Sequence, residues 1–325
     1  MPANLPPQYY ELEKKYRAAG TAEEKLALLE EMLSTMPKHK GTDKLQADVK
    51  RRISKLKAQE QKKGGKRTSA FNIKREGAGQ IALVGPPNSG KSALLQVLTR
   101  AEPEVADYPF TTRIPLAGMA AYEDVQVQLV DLPPLAGEYI DPWLPDLVRR
   151  ADMLLVLLDL TDDPLHQLDG LETVLAEKRI YLAGGGRVDE EGRGTIKPCF
   201  LAANKLDAEG ADETLFLMRE MMDPPRDVLP ISVLGGDNVN DLPRLLFESL
   251  KLIRVYTKIP GKPPDMHAPY VVARGTTVLD LAEKVHKDIV DSIKYARIWG
   301  AEKYDGQMVQ LDYVLVDRDV IELHS

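Results

Sequence analysis

The sequence predicts an α/β fold: a mostly parallel β-sheet covered by helices on both faces, with a helical hairpin before it and a small α+β domain after it. Three observations predict this. From Gln80 to about residue 260, short apolar runs that suit buried strands alternate with segments that can be helices. Two segments of helical period come earlier, joined through the stretch from Pro37 to Thr42. A proline-rich run, Lys258 to Pro264, then separates off a last set of short strands around one helix.

Residues 8–36 and 43–63 form the expected hairpin. In the first segment Leu26, Leu29, Met32 and Leu33 recur at helical spacing, and Thr21 with Glu24 three residues on is a capping-box signature. In the second, Leu45, Val49, Ile53 and Leu56 share one face. This helix runs into Lys62-Lys63-Gly64-Gly65-Lys66-Arg67, which reads as a flexible basic linker. The expected division is a helical, basic region over 1–67, an α/β domain over 68–260 and a C-terminal domain over 265–325.

Within the α/β domain, Ile81–Val84 reads as a buried strand feeding a glycine-rich loop, and Ala93–Leu98 as the helix that follows. Val125, Val127 and Leu129 alternate with Gln126 and Gln128, which predicts a strand with one wetter face. Met153–Leu158 and Phe200–Ala203 suit buried strands; 164–178 and 211–222 suit helices. In the last domain, strands are expected at 270–272, 296–299, 308–310 and 319–323, and a helix at about 277–290.

A chain of 325 residues needs two or three domains. The net charge of −7 argues against wholesale coating of nucleic acid but averages over uneven regions. The single cysteine, Cys199, excludes an intramolecular disulfide framework and fits a reducing compartment; its apolar neighbours predict a buried, inert thiol. No apolar run is long enough to cross a bilayer, and the N-terminus lacks the apolar core of a signal peptide, so a cytoplasmic protein is expected.

Gly85-Pro86-Pro87-Asn88-Ser89-Gly90-Lys91-Ser92 matches G-x-x-x-x-G-K-[ST] in full, with a strand before it and a helix after. Glycines let such a backbone curl until several N–H groups point at phosphate oxygens, and the helix start, Ala93 included, adds a positive dipole end. Lys91 would reach the β- and γ-phosphates and Ser92 would ligate Mg²⁺. Asp131 ends its strand where an acidic residue can hold Mg²⁺ through water. Asn204-Lys205-Leu206-Asp207 follows a strand, and a carboxylate there can accept from guanine N1–H and N2–H₂, a donor pair that adenine lacks. Asn204 and Lys205 would brace that loop, and Ser232 with Val233 could present backbone to the base. These residues predict a site for GTP and GDP.

The residues also spell out a family. Val105-Ala106-Asp107-Tyr108-Pro109-Phe110-Thr111-Thr112 resembles switch I of the Obg and developmentally regulated GTP-binding (DRG) GTPases. Ala273-Arg274-Gly275-Thr276-Thr277-Val278 and Tyr295-Ala296-Arg297-Ile298-Trp299-Gly300 resemble the TGS domain of DRG proteins, a ubiquitin-like β-grasp module. The likeness covers nearly the whole chain, although a long insertion of the DRG G domain is missing. It implies a P-loop GTPase G domain, an N-terminal helical region and a C-terminal TGS domain. It also implies that Thr112, with Thr111 as the nearby alternative, closes on Mg²⁺ and γ-phosphate when GTP is bound, and that hydrolysis releases the loop.

Two positions depart from pattern. Where the family has Asp-x-Pro-Gly, this chain has Asp131-Leu132-Pro133-Pro134, and Pro134 has no N–H for a γ-phosphate. Leu135 stands where Ras-like proteins place a water-orienting glutamine, a departure from Ras and not from the Obg-like family that the chain resembles, and slow turnover is expected. Asn88 admits two readings: a K⁺ ligand beside the phosphates, as in the potassium-activated GTPases this loop resembles, or a loop residue tolerant of unusual φ.

Lys50, Arg51, Arg52, Lys55, Lys57, Lys62, Lys63, Lys66 and Arg67 form a basic run that could grip RNA phosphates or be a solvated helix face. The family likeness favours RNA or ribosome association through this region and the TGS domain. Three classes stay in view: a GTPase switch, a non-hydrolysing GTP/GDP sensor, and a P-loop kinase or ATPase, which Asn204–Asp207 speaks against.

Overall fold

The computed structural model describes scattered positions between Leu12 and Arg51, and residues 73–99, 115–135, 140–187, 189, 192–285, 293–300 and 304–324. The chain divides into two compact units, Met1–Asn72 and Ile73–Ser325. In the first, every described position is helical, and Leu12, Leu29, Met32 and Val49 are buried. The Thr21–Glu24 cap, the turn from Pro37 and the linker at 62–67 lie outside the described residues.

The second unit opens with β1 (Gln80–Val84), a loop and α1 (Lys91–Thr99). There follow β2 (Leu116–Tyr122), β3 (Val125–Asp131), α2 (Leu144–Arg150), β4 (Met153–Asp159) and α3 (Pro164–Glu177). A short parallel pair, β5 (Ile180–Leu182) with β6 (Thr195–Lys197), leads to β7 (Cys199–Asn204), α4 (Ala211–Met221), β8 (Val228–Pro230) and α5 (Leu242–Ser249). The main sheet has six strands in the order β2-β3-β1-β4-β7-β8. Only β2 runs antiparallel to its neighbour. All residues of β1 and β4 are buried, as central strands covered on both faces must be, and this explains their unbroken apolar runs. The helix α3 starts where Asp163 Oδ1 accepts from Leu165 N and His166 N, both at 3.0 Å, with Pro164 in the first turn.

The alternation in β3 misleads at one point. Gln126 is exposed but Gln128 is buried: its Oε1 accepts from Gln80 Nε2 at 2.8 Å and its Nε2 donates to Lys74 O at 3.0 Å. Two amides bonded to each other can be buried on the face that the alternation predicts to be the wetter one. Cys199 is only partly buried, although burial pushes its thiol pKa up.

The C-terminal sheet is built from β9 (Leu252–Thr257), β10 (Tyr270–Ala273), β11 (Tyr295–Trp299), β12 (Gln307–Val309) and β13 (Asp319–His324), in the order β10-β9-β13-β11-β12. Its helix, α6 (Val278–Val285), begins at a reciprocal cap between Thr277 and Asp280 and packs Val278 and Leu281 on a core of Ile253, Val255, Ile298 and Ile321. The sheet therefore begins at Leu252, inside the segment that sequence reading gives to the α/β domain. Lys258–Pro264 lies in the connection between β9 and β10, an antiparallel pair, and is not an interdomain linker. Prolines and glycine mark a long turn as readily as a linker, and the apolar alternation of β9 fits either sheet. Among the described residues no helix is long and apolar enough to cross a membrane.

Candidate functional site

The carboxyl ends of β1, β3, β4 and β7 lie side by side in the main sheet, with register pairs Leu83↔Asp131 and Asp159↔Asn204. An open parallel sheet gathers ligand-binding residues at such an edge. Gly85 to Ser92 wraps from β1 into α1 here. Gly85 has φ 153° and a Cβ on it would lie 2.2 Å from Leu157 O; Gly90 has φ 97° and a Cβ there would lie 2.3 Å from Asn204 Nδ2. Neither position has room for a side chain, so the loop can hug the sheet edge. Asn88 sits at φ 61°, which an asparagine tolerates.

Lys91 is buried and donates from Nζ to Gly85 O at 3.1 Å and Pro86 O at 2.7 Å. Burial lowers its pKa, and the Asp131 carboxylate only partly offsets this. Ser92 Oγ donates to Asp131 Oδ2 at 2.5 Å. Burial raises the Asp131 pKa against the opposing pull of Ser92 and Lys91, and Asp131 Oδ1 is buried with no partner. A lone acceptor of this kind beside a serine hydroxyl has the chemistry of a site for a hard divalent cation such as Mg²⁺. Asn88, Gly90, Lys91, Ser92, Ala93, Leu116, Asp131 and Leu132–Pro134 line one cavity of about 520 Å³. Leu135 points inward and is 5% exposed.

The second motif meets the first through Asn204. Its Nδ2 donates to Ser89 O at 2.8 Å and its Oδ1 accepts from Val233 N at 3.0 Å. One buried amide thus ties the phosphate-type loop to both loops expected around a base. Asp207 is exposed and accepts from Ser232 Oγ at 2.5 Å; that oxygen in turn accepts from Gly235 N at 2.7 Å. Ser232 is fully buried, and its side chain holds the Asp207 carboxylate, a contact that the sequence reading did not include. Pro87 belongs to the same loop. Thr111 and Thr112 lie outside the described residues.

Sequence reasoning missed Asp159. It ends β4 and bonds Lys205 Nζ, and its Oδ1 accepts from Thr161 N at 2.9 Å and Thr161 Oγ1 at 2.7 Å. Burial would raise its pKa, but the bonds to Lys205 and Thr161 outweigh it and hold the group ionised. Its signal was available: an acidic residue closing an all-apolar strand at the edge where Asp131 closes another.

Residues 80–185 match the family described as 50S ribosome-binding GTPase, and residues 253–325 match the TGS domain. The second match starts at β9, in agreement with the observed sheet. An uncharacterized GTP-binding protein of Methanocaldococcus jannaschii is 29% identical over 93% of this chain and 92% of its own. Developmentally-regulated GTP-binding protein 1 of Xenopus laevis is 27% identical over 92% and 98%, and ribosome-interacting GTPase 1 of Saccharomyces cerevisiae 26% over 94% and 99%. These alignments span 360, 363 and 371 positions against 325 residues here, so the relatives carry segments without a counterpart in this chain. Among solved structures, the Schizosaccharomyces pombe YchF GTPase covers 77% of this chain and 99% of its own, with TM-score 0.50 and 14% identity, a likeness of fold.

Proposed function

We propose that this chain, whose residues 80–185 match the 50S ribosome-binding GTPase family and 253–325 the TGS domain, and which is similar to DRG proteins along nearly its whole length, is a slow GTPase switch that works with the ribosome or with RNA. The observation that carries this reading is the Asn204 amide, which couples the phosphate loop to the loop of Asp207.

In this reading Asp207 accepts from guanine, and Ser232 Oγ holds its carboxylate in place. Asn204 fixes the spacing between base and phosphates, and Asp159 holds Lys205 against the base. Backbone N–H groups from Asn88 to Ala93 face the phosphates. Lys91 exchanges its two carbonyl partners for β- and γ-phosphate oxygens. Ser92, Asp131 and Thr112 are the residues that would hold Mg²⁺, which supplies charge neutralisation between the phosphates. Thr112 closes only when a γ-phosphate is present.

Turnover is slow because the position that could orient water carries Leu135, which is buried, and because Pro134 offers the γ-phosphate no amide. Asn88 offers a place for K⁺ to stabilise developing charge. The wall of the phosphate cavity includes Pro134, and this one observation favours a second reading, a GTP/GDP sensor that does not hydrolyse. The name of the yeast relative supports ribosome association, and the basic run at 50–67 with the TGS domain supplies candidate surfaces. The single cysteine and this association suit the cytoplasm.

Single-turnover assays with GTP and ATP, in KCl and in NaCl, test the proposal. Slow cleavage of GTP alone is expected, and faster cleavage in KCl would assign K⁺ to Asn88. Tight GTP binding without cleavage would establish the sensor, and preference for ATP would overturn both readings.

A further inference from the structure

A buried arginine joins the C-terminal sheet to the tip of the hairpin that runs into the phosphate cavity. The hairpin is β2–β3, paired in register from Leu116↔Asp131 at one end to Tyr122↔Val125 at the other. At the first end Leu116 and Asp131 line the phosphate cavity. At the second, about 20 Å away for strands of this length, Glu123 and Asp124 make the turn, with Glu123 at φ 50°. Among the described residues, the strand β2 lies at the sheet edge and is bonded to β3 alone.

Arg254 of β9 is 2% exposed. Its Nε and Nη2 donate to Asp317 at 3.1 and 2.6 Å, and its backbone N donates to Asp317 at 2.7 Å. Its Nη1 reaches across to Glu123, and to Asp124 at 3.0 Å. The guanidinium also lies 5.2 Å from the Tyr122 ring centroid and 5.6 Å from that of Phe247. Tyr256 donates to Asp124, and Arg318 to Glu123 at 2.5 Å. Two cations thus hold three carboxylates that would otherwise repel one another.

We infer that Arg254 is a positioning residue for the nucleotide site: through Glu123 and Asp124 it fixes the hairpin whose far end sets Leu116 and Asp131 against Mg²⁺ and phosphate. The inference rests on the guanine-nucleotide reading above. A full ladder of β-pairing makes the hairpin stiff along its length, so restraint at the tip limits sliding at the other end. The coupling is reciprocal, since whatever binds the C-terminal domain and loosens Arg254 also loosens the nucleotide, and nucleotide state shifts that domain.

The test compares the full-length chain with Arg254→Gln and with the double variant Glu123→Ala/Asp124→Ala, which removes both acceptors of Arg254 Nη1 at the turn without emptying a buried position. Amide hydrogen exchange in nucleotide-free protein should quicken over 116–119 and 128–131 as well as at the tip. GDP release should speed about five-fold or more at limiting Mg²⁺, the scale of ordinary intramolecular coupling. Preference for GDP over ADP should stay as it is, because the Asp207 loop is not on this hairpin. Faster exchange at residues 121–126 alone, with unchanged GDP release, overturns the inference and leaves the nucleotide reading intact. Failure of the unaltered chain to bind GDP overturns both.

Discussion

Asp131 is where stability and activity pull apart. Its Oδ1 is buried without a partner, and an unpaired buried acceptor costs about 1–3 kcal/mol. Burial raises its pKa in the folded chain, so the folded state holds the proton more tightly than the unfolded state does. This group therefore favours folding below the unfolded-state pKa, and that contribution is lost as pH rises through the raised folded value. We predict that Asp131→Asn raises the melting temperature of nucleotide-free protein at pH 7, with the gain vanishing at pH 3–4, and abolishes the Mg²⁺-dependence of GDP binding. Thermal melts across that pH range with parallel GDP titrations check it; a lower melting temperature at pH 7 would contradict the assignment. The residues of the phosphate loop were legible because eight consecutive positions carry the whole pattern. Asp159 carried only the weaker signal of an acidic residue closing an apolar strand, since its partner Lys205 lies 46 positions away and the pairing itself leaves no local trace.

At the scale of elements, the strands that the site hangs on were readable where burial on both faces imposed an unbroken apolar run, as in β1, β4 and β7. The strand β2 was not: Leu-Ala-Gly-Met-Ala-Ala-Tyr lacks β-branched residues, and its pairing with β3 holds it in place. The segment after β3 carries the second prediction. In the proposed function, Pro134 deprives this element of an amide for the γ-phosphate, and a hydrogen bond to a charged group contributes about 1.5–3 kcal/mol. Pro134→Gly should tighten binding of a non-hydrolysable GTP analogue by about ten-fold or more relative to GDP. Titrations of both nucleotides measure this. An unchanged GTP-to-GDP ratio would mean that another amide already serves the γ-phosphate.

For the whole molecule, an α/β domain followed by a small α+β domain was legible from the change in apolar pattern and the proline-rich run, but the boundary between them was misplaced. The strand β9 precedes the proline-rich run and yet belongs to the second sheet, paired with β10 and β13, because parallel pairing with the last strand of the chain leaves no trace in local sequence. The same strand carries Arg254, whose charge interrupts the apolar stretch from Leu252 to Tyr256; that interruption was the available signal for a buried interdomain contact. In the proposed function, Asn204 holds a phosphate cradle and a guanine-reading carboxylate together at one sheet edge. Calorimetric titration of GDP and ADP into the chain and into Asp207→Asn, with Mg²⁺ present, tests this most directly. The unaltered chain should prefer GDP by about 10²-fold or more, and Asp207→Asn should remove most of that preference. Equal affinities for the two nucleotides, or a preference for GDP that survives Asp207→Asn, would contradict it.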